Sequence, residues 1–163
     1  LKMIANHGQR IKYHHDVVGV NSRLDTLQAA ILDIKLKHLN SYCEARQKAA
    51  AYYDSALKNV KHITIPFRSD FTTHVFHQYT IKIDKQYSRD DLKKYLAEND
   101  IPSMIYYPLP LHEQKAYQEF MNKGVEYPIS SSLCDLVLSL PIHTHLKLEE
   151  QEYIVHHVNS FFS

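Results

Sequence analysis

The order of residues predicts an α+β domain: long helices near the N-terminal end, then a small, mostly antiparallel sheet flanked by helices. Three observations carry this. Apolar residues recur with helical spacing from Leu24 to Leu57, the segment Val75 to Ile83 alternates with period two, and the elements then run helix, strand, strand, helix, strand.

Leu1 to Tyr13 has neither a cap nor a clear hydrophobic period and reads as the middle of something longer. The first defined element opens at Asn21-Ser22, where Ser22 and Asp25 have capping-box spacing before Leu24, Leu27, Ala30, Ile31, Ile34 and Leu39. Ser41 with Glu44 is a second start signal, followed by Ala45, Ala49, Tyr52, Tyr53, Ala56 and Leu57. The two helices meet at a bend or run on as one, about ten turns in all. His62 to Ile65, closed by Pro66, is a short strand, and Val75 to Ile83 a half-buried one.

Ser88 with Asp91 opens a helix that stops near Asn99-Asp100, before Pro102. Ser103 to Tyr107 reads as a strand ended by Pro108 and Pro110. Short helices are expected over Glu113 to Met121 and Ser130 to Leu136, then an extended piece at Leu138 to Pro141 and a closing amphipathic helix from Leu148 to Phe162.

Composition narrows the function. With 44% hydrophobic and 23% charged residues the chain is globular in type, and 19 basic against 18 acidic residues give no cationic face for nucleic acid. No apolar run is long enough for a membrane span and no signal region opens the chain, so a cytoplasmic protein is expected. Cys43 and Cys134 lack paired spacing and read as small hydrophobes rather than a disulfide or zinc site. Only Gly8, Gly19 and Gly124 occur, too few for a phosphate-cradling glycine loop. The clusters among twelve histidines (His14-His15, His74 and His77, His143 and His145, His156-His157) have no carboxylate or cysteine at ligand spacing, which argues against a metal.

Two segments carry candidate chemistry. Asn21 and Arg23 fall where the sequence opens its long helix, so a carboxamide and a guanidinium would stand beside free N–H groups that favour an anion. The bland alternative is a cap plus a surface arginine. Tyr106-Tyr107-Pro108-Leu109-Pro110-Leu111-His112 holds aromatic groups and an imidazole on a proline-stiffened loop, suited to a binding surface or to packing on the domain.

At these residues the sequence resembles the DegT/DnrJ/StrS sugar aminotransferases. The resemblance rests on Asn6-His7-Gly8; Gly19-x-Asn21-x-Arg23-Leu24-Asp25-x-Leu27-Gln28-Ala29-Ala30; Arg46 in the next helix; Ile101-Pro102 before Tyr106-Tyr107-Pro108-x-Pro110-Leu111-His112-x-Gln114; and Leu138-Ser139-Leu140-Pro141-Ile142-His143. It implies the C-terminal small domain of a fold-type I enzyme using pyridoxal 5'-phosphate, with residues 1–20 ending the connection to a large domain and 21–163 forming the small one. It also implies a homodimer in which Asn21 and Arg23 reach the cofactor of the partner subunit, and Tyr107, His112 and Tyr106 border a sugar nucleotide. The implied reaction moves an amino group from glutamate to a keto sugar nucleotide, in the making of amino sugars for surface polysaccharide or similar. A tyrosine at 106, where many members have histidine, is similar to members acting on 3-keto sugars.

In that family the Schiff-base lysine, the aspartate on the pyridine nitrogen and the aromatic ring stacked on the cofactor belong to the first part. The resemblance therefore implies that these 163 residues hold no catalytic residue and do not transaminate alone. Two other classes stay open: a lysine-less regulatory or dehydratase-like relative, and a helical interaction module using Leu24 to Ala56.

Overall fold

The computed structural model describes residues 1–120 and 125–163, and the chain divides into two compact units, Leu1–Asn40 and Ser41–Ser163.

The first unit begins with a short helix α1 (Lys2–Ala5) and a two-stranded antiparallel ribbon, β1 (Gln9–Ile11) with β2 (His14–His15), where no regular element was expected. Gly8 has φ +73°, and a Cβ there would collide with the Val17 carbonyl; one at Gly19 would collide with the Gly8 and Ile4 backbone. The two glycines thus let residues 17–21 lie against residues 4–8. Val20 N–H donates to the Ile4 carbonyl at 2.8 Å, Ser22 N–H to that of Ala5 at 2.9 Å, and Asn6 and Asn21 form an antiparallel bridge.

Helix α2 (Thr26–Leu36) starts three residues later than a cap at Ser22 would place it. Asp25 is its N-cap residue, and no side chain caps it. The backbone of 20–22 is already committed to the ladder with 4–6, so Ser22 cannot also serve as a cap. Every residue of α2 is at most partly buried, and Leu27, Ile31 and Ile34 of the expected stripe are exposed. Helix α3 (Leu39–Leu57) follows a turn at Lys37-His38 and runs through Ser41 without restarting there.

The second unit holds the core. Strands β3 (Ile63–Thr64), β4 (Tyr79–Ile83) and β5 (Val137–Leu140) form an antiparallel sheet in the order β3-β4-β5, with Tyr79 opposite Leu140 and Ile81 opposite Leu138. Along β4 the alternation holds: Tyr79, Ile81 and Ile83 are buried, while Thr80 turns to the other face and meets the Ser139 hydroxyl at 2.8 Å. Ala50, Tyr53 and Leu57 of α3 join the same cluster. So do Leu92 and Leu96 of α4 (Arg89–Glu98), and Ile154, Val155 and Val158 of α6 (Leu148–Phe161). Ser88 caps α4 as expected, its hydroxyl accepting from Asp91 N–H at 3.1 Å. His157, from one of the histidine pairs, packs with its Nδ1 3.1 Å from the Tyr95 hydroxyl.

Three expected elements differ. Residues 75–78 are not strand, because Phe76 has φ +48° and its N–H donates to His74 Nδ1 at 2.9 Å, which takes this stretch off the ladder. Ser103 to Tyr107 contributes only a bridge, Met104 with Ser139, on the side of β5 away from β4. In place of a helix over Glu113 to Met121 there are 3₁₀ turns at Leu111–Glu113 and Lys115–Phe120; Met121 and Gly124 lie outside the described residues. Helix α5 (Pro128–Leu136) starts with proline in its first turn, where a missing N–H costs nothing. Cys134 is buried as expected, whereas Cys43 is only half-buried.

The Tyr53 hydroxyl donates to the Pro141 carbonyl at 2.9 Å and that of Tyr79 to Asp54 Oδ1 at 2.8 Å. Burial raises both phenols above their ordinary value of 10.0, and for Tyr79 the hydrogen bond to Asp54 adds to it. Each phenol stays neutral to higher pH in the folded chain than in the unfolded one. The stability this supplies is complete below about pH 10 and is lost as pH rises beyond it. In an alkaline titration, phenolate absorbance from Tyr53 and Tyr79 is expected only with the loss of helical circular dichroism. A single tyrosine transition with the fold intact would refute this.

Candidate functional site

In the first unit, Asn21 and Arg23 follow the Gly8-Gly19 crossing in extended backbone ahead of α2. The helix begins at Thr26, so neither residue stands at its N-terminus and the helix-dipole argument for an anion there does not hold. What the structure offers is a donor set. Both side chains are exposed, and among the described residues neither makes a side-chain hydrogen bond or ion pair within the fold. A carboxamide and a guanidinium free of internal partners suit a phosphate.

In the second unit, Tyr106 and Tyr107 meet at a cleft of about 620 Å³ between the loop 106–114 and α5. The peptide joining them is cis, and their rings stand 6.0 Å apart at 76°. Leu109, Pro110, Leu111, Gln114 and Tyr117 continue this wall; Ser130, Leu133, Cys134 and Val137 form the other. Burial pushes the Cys134 thiol up, which makes it a packing group rather than a nucleophile.

His112 does not line the cleft. It sits behind the loop, its ring 4.8 Å from that of Tyr127 and its Nε2 3.2 Å from Ser131 Oγ and 3.3 Å from Glu113 Oε1. Ser131 donates to Glu113 at 2.8 Å. Because Ser131 belongs to α5 and Glu113 to the loop, this junction ties the two walls together. At the other end of α5, buried Arg89 donates to the carbonyls of Cys134 at 2.8 Å and Val137 at 3.3 Å. It thereby satisfies a carbonyl that the helix end leaves free. Arg46 is structural too: its Nη1 donates to the carbonyls of Phe76 at 3.0 Å, His77 at 3.1 Å and Ile142 at 3.2 Å.

The α5 wall, Glu113 and Ser131 were missed by sequence reasoning. Pro128 signals where the helix starts, but nothing local says that it faces the tyrosine loop. Among the described residues no group of three or more histidine, cysteine or acidic side chains could hold a metal, and no helix is long and apolar enough to cross a membrane.

The model of the DegT/DnrJ/EryC1/StrS aminotransferase family matches residues 1–159. The chain belongs to this family. It is similar to named proteins of different kinds. It is 41% identical to the "pleiotropic regulatory protein" of Geobacillus stearothermophilus, over 99% of this chain and 43% of that protein. It is 40% identical to the dTDP-3-amino-3,6-dideoxy-alpha-D-galactopyranose transaminase of Aneurinibacillus thermoaerophilus, again over 99% and 43%. Among solved structures, S. venezuelae DesV in complex with a ketimine intermediate superposes with a TM-score of 0.88 at 34% identity, covering 99% of this chain and 43% of DesV. The chain thus spans less than half the length of the relatives it matches.

Proposed function

We propose that these 163 residues are the C-terminal part of a pyridoxal-phosphate-dependent aminotransferase that acts on a keto sugar nucleotide, with residues 1–20 leading in from a large domain and 21–163 forming the small one. The observation that carries this is the family match over residues 1–159, together with a relative of 40% identity named as a sugar-nucleotide transaminase. That relative is named for a 3-amino sugar, which favours a 3-keto substrate here. Glutamate as donor, a homodimer and a cytoplasmic setting complete the reading.

The donor set of the first unit fits the cofactor's phosphate. Asn21 would donate its amide N–H, and Arg23 its guanidinium, to phosphate oxygens of the partner subunit's cofactor. When bound, the cofactor supplies the electron sink and carries the amino group. Tyr106 and Tyr107 would border the sugar nucleotide, and His112 would hold their loop through Glu113 and Ser131. The uncovered apolar residues of α2 suit burial against a large domain or a second subunit.

A second reading is favoured by one observation: a relative of 41% identity bears the name of a regulatory protein. The experiment that separates them uses the intact protein, supplied with pyridoxal phosphate, glutamate and a 3-keto sugar nucleotide. Formation of the amino sugar and 2-oxoglutarate in equal amounts is expected. Cofactor binding without any product would favour the regulatory reading.

A further inference from the structure

We propose that the cleft between the 106–114 loop and α5 is a base-binding site: it takes the planar, uncharged heterocycle of a nucleotide, while the phosphates stay outside it. This rests on the sugar-nucleotide reading for the identity of the ligand, and on the cleft itself for where each part goes.

Charge decides first. Among the described residues, none of those lining the cleft carries a formal charge, and its ionisable groups are phenols and a buried thiol. A phosphate or carboxylate entering it would lose hydration without meeting a cation, a cost of several kcal/mol. An uncharged ring meets no such cost. Size agrees, since about 620 Å³ lies within the usual range of small-molecule sites and leaves room for a base with its ribose.

Shape and chemistry point the same way. The rings of Tyr106 and Tyr107 stand at 76° to each other, and Tyr107 is 72% exposed, so a flat ligand can stack on one while meeting the edge of the other. Leu133 and Val137 add apolar surface to the lining. In the same lining, Gln114 has an amide with both donor and acceptor capacity and Ser130 a hydroxyl, which are the groups needed to hydrogen-bond a base edge. Gln114 spends one N–H on the Leu109 carbonyl at a long 3.4 Å, leaving its carbonyl oxygen for a ligand. The Ser131–Glu113 hydrogen bond and the Arg89 contacts to the end of α5 hold both walls, so the site is formed before a ligand arrives.

The test titrates the chain with uridine, thymidine, UDP and ribose 5-phosphate, following amide and side-chain NMR signals. Uridine and thymidine should perturb Tyr106, Tyr107, Gln114 and Leu133, and UDP should compete with them, whereas ribose 5-phosphate should not. Tyr107→Ala should weaken uridine binding by roughly tenfold, as loss of a stacking aromatic does, with thermal unfolding unchanged because the side chain is exposed. No saturable nucleoside binding, signals mapping outside the cleft, or displacement of UDP by ribose 5-phosphate would overturn the proposal. So would full uridine affinity in Tyr107→Ala. The two readings fail separately: nucleoside in the cleft with no amino sugar from the intact protein leaves the base site standing and removes the transferase reading. Amino sugar formed with nucleoside bound elsewhere does the reverse.

Discussion

Tyr53→Ala is expected to destabilise the fold by about 3 to 5 kcal/mol, the range for truncating a large aromatic in a packed core. Tyr53 has no exposed surface; its ring lies 4.9 Å from that of Tyr79 and 6.4 Å from that of Tyr52. Truncation would open a cavity where α3 meets the sheet and would strip the Pro141 carbonyl of its donor. Against a total of about 5 to 15 kcal/mol for a domain, this is a large fraction. Tyr53→Phe removes only the hydroxyl and should cost about 0.5 to 1.5 kcal/mol, which separates the packing from the hydrogen bond. Urea unfolding followed by circular dichroism measures both. A loss under about 1 kcal/mol for the alanine variant would mean that α3 is not part of the cooperative core.

Asn21→Ala in the intact protein is expected to weaken retention of pyridoxal phosphate by roughly tenfold to a hundredfold, the equivalent of about 1.5 to 3 kcal/mol for a hydrogen bond to a charged group. Stability should change by less than about 0.5 kcal/mol, because the side chain is exposed and the bridge to Asn6 is made by backbone. Helix polarity plays no part, since α2 begins at Thr26; the free amide and the proposed reach across a dimer carry the effect. Mixed dimers of Asn21→Ala subunits with subunits lacking the Schiff-base lysine should regain at most one working site, the one pairing an intact lysine with an intact asparagine. Equilibrium dialysis of the cofactor decides the first part. Unchanged affinity would remove Asn21 from the site.

Much of the second unit was legible because its signals are local. Ser88 with Asp91 spells a cap that forms as written, and Tyr79, Ile81 and Ile83 alternate as a strand with one wet face must. The apolar rows of α3 and α6 likewise match what the core buries. The stripe of α2 was equally readable as a helix, yet its length did not reveal that the chain itself leaves Leu27, Ile31 and Ile34 uncovered.

By itself the sequence determined the fold class, the family, and the residues worth asking about, because helix caps, period-two alternation and ordered motifs depend on neighbours a few positions apart. Only the tertiary structure decided what those residues do together. Ser22 lost its cap to a ladder with Ala5, and Arg46 proved to be a clamp on three carbonyls drawn from two distant loops. His112, expected from the resemblance to border the sugar nucleotide, lies at the junction of its loop with α5, through Ser131, nineteen residues away in the chain. Each of these is a choice between hydrogen-bond partners of similar strength, and the choice falls to whichever partner the packed core brings within about 3 Å, a distance that no local pattern of residues encodes.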